Sequence, residues 1–99
     1  MDIVCRKCGI KRRAEEDGTD WSEFPGEYLK IAIGHAARPY SCDTCSDPIR
    51  KGSAIWVWQS CPDDYFDSAE AQYLEKPYKL DFLPSLPERF VKRVEDAKS

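Results

Sequence analysis

Four of the five cysteines in this 99-residue chain are paired by their spacing, as Cys5-x2-Cys8 and Cys42-x2-Cys45. Two thiolates at that spacing converge when a tight turn points its backbone amides inward. Two such turns supply the tetrahedral sulfur set that Zn2+ accepts without ligand-field preference. Arg6, Lys7 and either Arg50 or Lys51 would offset the negative charge left on a metal held by four thiolates. The expected cofactor is one structural Zn2+ on Cys5, Cys8, Cys42 and Cys45. Such a centre leaves no position open to water, so it is not expected to catalyse.

The remaining metal-ligating or nucleophilic residues offer less. His35 is the only histidine, and Cys61 is the unpaired fifth cysteine, placed before Pro62. Each is expected to be a packing or surface residue, although either can replace a member of the quartet. A nucleophilic Cys61 with His35 as base lacks an orienting third group. Asp63, Asp64 and Asp67 read as a solvated loop with a helix cap.

The knuckles themselves carry a resemblance. "CRKCG" has the form of a zinc knuckle, and "CDTCSDPIRKG" resembles the second knuckle of small zinc-ribbon and treble-clef proteins. A strand is expected after each knuckle, which is closer to the ribbon. In a treble clef the second pair would open a helix, and "SDPIRKG" is a poor helix start. The two motifs cover about 25 residues and imply a site type rather than a particular family. The paired CxxC motifs, with aromatic and acidic residues between them, are also similar to rubredoxins, which would imply iron and electron transfer. This chain departs from that family at Asp43, where it has proline, and at Ser46, where it has glycine.

Composition bounds the rest. The length predicts a single zinc-binding domain over 1–99, with a metal-clasped core at 1–60 and a helical, Pro-rich extension at 61–99. A core built from so short a chain is small, and a metal staple helps it. The net charge of −3 argues against a protein that coats nucleic acid indiscriminately. Charge is also uneven: residues 1–13 carry +4 and residues 14–27 carry −6. No apolar run is long enough for a signal peptide or a membrane span, so a cytoplasmic protein with reduced cysteines is expected.

The elements that must position the quartet follow from patterning. Ile3 and Val4 predict a strand entering the first pair, and Ile10 to Arg13 a strand leaving it. "EEDGTDWSEFPGE" reads as a loop pinned by Trp21 and Phe24. "YLKIAIGH" alternates like a strand, but its Pro-Gly start and acidic first turn favour a helix. Residues 53–60 form the strongest strand, apolar on both faces. "DSAEAQYLE" predicts a short helix stopped by Pro77, and Ser85 with Pro87 predicts the start of a C-terminal helix. The expected fold class is small α+β: a zinc-ribbon-like antiparallel core with one or two short helices.

With a structural metal, function must come from the surface. The leading expectation is a non-enzymatic protein-interaction or regulatory accessory module that meets a protein partner through Trp56, Trp58, Tyr65 or Phe66. The alternative is nucleic-acid binding through Lys11, Arg12 and Arg13 in the basic first knuckle. The third is a rubredoxin-like iron carrier. Neither a membrane nor a particular oligomeric state is implied.

Overall fold

The computed structural model describes residues 1–24, 27–60 and 72–83. In chain order the elements are strand β1 (Asp2–Cys5), helix α1 (Arg6–Asp17), a 3-10 turn (Trp21–Glu23), and strands β2 (Leu29–Ala36), β3 (Tyr40–Ser41), β4 (Pro48–Ile49), β5 (Ala54–Ser60) and β6 (Leu74–Leu83). Four strands make one antiparallel sheet in the order β1-β5-β2-β6, and β3 pairs with β4 as a separate short ladder.

β5 and β2 are central because both carry apolar residues on both faces. Ile55 and Val57 are buried on one face of β5, while Trp58 is buried on the other. The register places Ile31 opposite Trp58 and Ile33 opposite Trp56, so these four side chains share a face. β2 is thus a strand where a helix was expected. Its alternating Leu29, Ile31 and Ile33 outweigh the local helix-start signal, because ladders on both flanks satisfy its backbone.

The reverse correction applies to Ile10–Arg13, which lies inside α1 and not in a strand. Cys5 is the helix N-cap, in an extended conformation at φ −71° and ψ 166°, and Gly18 closes the helix by donating its N–H to Glu15 O. α1 lies on the tryptophan face of the sheet. Gly9 makes the close approach: a Cβ there would stand 2.5 Å from Trp56 Cγ. Trp56 stacks on Trp58 with ring centroids 6.1 Å apart, and the Arg12 guanidinium lies 4.6 Å from the Trp58 ring centroid.

The expected loop begins later than its composition suggested, because Glu15, Glu16 and Asp17 belong to α1. Trp21 packs against the core with its Nε1 donating to Glu16 O, whereas Phe24 is exposed and only meets the Trp21 ring edge-on at 6.4 Å. Leu74 and Glu75, expected at the end of a helix, instead begin β6, and Pro77 lies within that strand. Residues 67–71 of that expected helix, the C-terminal helix from Ser85, Cys61, and the Asp63, Asp64 and Asp67 cluster lie outside the described residues. The described residues form the expected small α+β arrangement, an antiparallel sheet core with one helix and a 3-10 turn. The zinc-ribbon part of the expectation is not confirmed: the first cysteine pair opens a helix, and only the second sits on a hairpin turn.

Candidate metal centre

β1 delivers Cys5 at its end, and Cys8 follows in the first turn of α1. The second pair sits on the turn between β3 and β4. There the Cys42 N–H donates to Asp47 O and the Ser46 N–H donates to Cys42 O, both at 2.9 Å. Ser46 closes that turn in the left-handed region at φ 65°. This is the position at which the rubredoxin resemblance places glycine, and the backbone geometry shows why glycine suits it.

The two knuckles are joined through Asp43. Its N–H donates to Ile3 O at 2.9 Å, and its Oδ2 accepts from the Ile3 N–H at 2.7 Å. A single residue therefore completes both hydrogen bonds of Ile3 on the outer edge of β1. Nothing in the sequence pointed to this, because the partner of an aspartate in a turn is ordinarily a near neighbour and here it is 40 positions away.

The result brings the sulfur atoms of Cys5, Cys8, Cys42 and Cys45 within 4.8 Å of one another. Cys5 Sγ and Cys45 Sγ are 3.9 Å apart, and all four thiols are free. A tetrahedral ion with metal–sulfur bonds of about 2.3 Å needs its sulfurs about 3.8 Å apart. The residues fit a single tetrahedral metal ion. Cys42 is buried, Cys5 and Cys8 are partly covered, and Cys45 faces solvent.

The sulfurs differ in how they hold protons. Burial pushes the Cys42 thiol up, but N–H groups of Cys45, Cys5 and Thr44 aimed at its sulfur outweigh this and hold it at about 6. The Cys45 and Cys5 N–H groups lie 3.5 and 3.4 Å from that sulfur. Cys8 is pushed up to about 12 by its hydrogen bond with Cys5, by burial, and by its contacts with Cys45 and Cys42. Cys42 is therefore the first thiolate of the set, ready to receive a cation.

A metal held by these cysteines would also complete α1. No side chain caps the helix N-terminus, and its first turn holds no acidic residue. Instead Arg6 and Lys7 stand at the positive end of the helix dipole, while Glu15, Glu16 and Asp17 stand at the negative end. That arrangement is unfavourable for an isolated helix. An anionic metal–thiolate cluster at Cys5 and Cys8 would reverse the sign where it matters most.

The other candidate residues are placed as follows. Trp58 is 1% exposed and belongs to the core, while Trp56 is half-buried under Gly9. Tyr65 and Phe66 lie outside the described residues. Lys11 is exposed on α1. Arg12 pairs with Asp2 at 2.7 Å, and Arg13 pairs with Asp81 at 2.6 Å and with Asp17 at 3.4 Å. His35 is exposed at the end of β2, its Nδ1 3.1 Å from Gly52 O, and is not one of the clustered ligands. Among the described residues no helix is long and apolar enough to cross a membrane. No family model, no curated protein and no solved structure matches this chain.

Proposed function

We propose that this chain is a small non-enzymatic binding module, held together by one structural Zn2+ and acting as a protein-interaction or regulatory accessory protein. The observation that carries this reading is the convergence of four cysteine sulfurs from two separate knuckles. The donor set is all-thiolate, which suits Zn2+ and leaves no coordination position for water or substrate. The ion would supply cohesion, and Cys5, Cys8, Cys42 and Cys45 would hold it between β1, α1 and the β3–β4 turn.

Direct nucleic-acid binding is the weaker alternative. Two of its three residues, Arg12 and Arg13, already have carboxylate partners within the fold. Iron in the same four sulfurs is the third reading. Elemental analysis of the purified protein separates the metals: one zinc per chain in a colourless protein is expected, and a red protein containing iron overturns the zinc assignment. A binding titration on generic DNA and RNA at low salt tests the alternative. Tight, steeply salt-dependent binding that Lys11→Glu abolishes would replace the protein-interaction reading with it.

A further inference from the structure

α1 covers only part of the tryptophan face of the sheet. Beyond it, between the N-terminal half of α1 and the bulged end of β2 and β6, lies an open groove of about 650 Å³. Ile33, Ala54 and Trp56 are among its lining residues, with Arg6 and Ile10 from α1 and Tyr78 and Lys79 from β6. Arg6 and Ile10 are one helical turn apart and so face the groove together. Ile10 is 48% exposed, one of few large apolar side chains left in solvent among the described residues.

The charge of this groove is the opposite of the chain's. The protein carries 18 acidic and 15 basic residues. Yet the charged residues that line the groove are Arg6 and Lys79, with no acidic residue among the lining. Neither Arg6 nor Lys79 forms an ion pair among the described residues. His35 turns Nδ1 to the Gly52 carbonyl, which requires that nitrogen to carry the hydrogen and leaves Nε2 for another group. By contrast, the cavity beside Cys8 and Cys45 mixes Lys7, Lys11 and Arg12 with Glu15 and Glu16.

We propose that the groove binds an acidic linear segment of a partner protein. An aliphatic or aromatic side chain sits against Ile10, Ile33 and Trp56, and flanking carboxylates meet Arg6 and Lys79. This rests on the protein-interaction reading and names the surface and the chemistry of the partner. A nucleic-acid strand fits less well. Gly9 and Trp58 already pack on the Trp56 ring, so it is not a free stacking platform.

The test is selection of a random peptide library on the full, metal-loaded chain. The enriched peptides are then measured by fluorescence anisotropy against wild type, Ile10→Asp, Lys79→Glu and the control Lys51→Glu, alongside single-stranded DNA and RNA. All three positions are exposed, and unchanged metal content and melting temperature verify each fold. Enriched peptides are expected to combine Asp or Glu with an apolar residue. Ile10→Asp and Lys79→Glu should each weaken them about tenfold or more, and Lys51→Glu should leave them unchanged. Peptides indifferent to both groove variants, or lacking acidic residues, overturn the groove but leave the interaction reading standing. No enriched peptide, together with oligonucleotide binding that Lys79→Glu abolishes, overturns both.

Discussion

Arg13 reaches Asp81, 68 positions further along the chain, with Nη1 2.6 Å from Oδ2. The neighbouring Arg12 reaches the opposite way, to Asp2. The two carboxylates lie in one row across the sheet, in which Asp2 faces Trp58, Trp58 faces Ile31 and Ile31 faces Asp81. Two adjacent arginines thus fasten α1 to both edge strands, about 14 Å apart. The Arg13 guanidinium is stabilised in its charged form, first by its hydrogen bond to Asp81. Both members of the pair are largely covered, so a double-mutant cycle of Arg13→Ala with Asp81→Ala is expected to give a coupling of about 1 kcal/mol. Urea unfolding measures it, and a coupling near zero contradicts the fastening role.

Gly9 is the contact point of helix and sheet. A methyl group there would stand within 3 Å of three Trp56 side-chain atoms, Cβ, Cγ and Cδ2. Gly9→Ala raises helix propensity, so a surface glycine would be expected to gain stability. Here the clash dominates, and the variant should lose about 1–3 kcal/mol by chemical denaturation. A stabilised variant would show that α1 stands further from the sheet.

Ser46 gives the opposite sign. It holds φ 65° without a glycine's freedom. Relief of that strain is offset in part by the entropy glycine adds to the unfolded chain, so Ser46→Gly should gain about 0.5 kcal/mol. Its effect should be visible in thermal melts of the metal-loaded protein.

Removal of the metal should act first on α1, whose N-terminus has no other cap. A strong chelator, or Cys8→Ser, is expected to reduce the far-ultraviolet helix signal and lower the melting temperature. Retention of both would remove the structural role of the ion.

Metal affinity should fall with acid. Cys8, held at about 12, must give up its proton to bind, so each unit of decreasing pH costs about a factor of ten from this thiol alone. Cys42, held at about 6, is ionised above that value and joins the competition only below it. Competition with a chromophoric chelator should therefore show a slope that steepens as pH drops through about 6. A flat profile between pH 7 and 8 would contradict the Cys8 assignment.

The cysteine quartet was legible because CxxC reports a local turn, and two such turns imply each other. β1 and β5 were legible for a similar reason, since their apolar patterns need no distant information. α1 was not. Its charges run against the helix dipole, and what secures it is Gly9 on Trp56 and Arg13 on Asp81, contacts that join residues far apart in sequence. β2 was misread because its alternating Leu29, Ile31 and Ile33 competed with a local helix-start signal, and the ladders to β5 and β6 that decide for a strand join residues far apart in sequence. Which aromatic residues remain at the surface was equally hidden: Trp56 and Trp58 alternate identically, yet only Trp58 is sealed by Arg12 and the strands beside it.

All four clustered cysteines precede residue 46, whereas β5, the strand that joins β1 to β2, begins at Ala54 and β6 at Leu74. During synthesis the clasp can close before the sheet has its central strand. Capture of the ion would then fix Asp43 against Ile3 and align β1 beside the β3–β4 turn, shortening the search that β5 must make when it inserts between β1 and β2. Supply of the ion would in this way set the rate at which the chain reaches its native topology, as well as the depth of the native well.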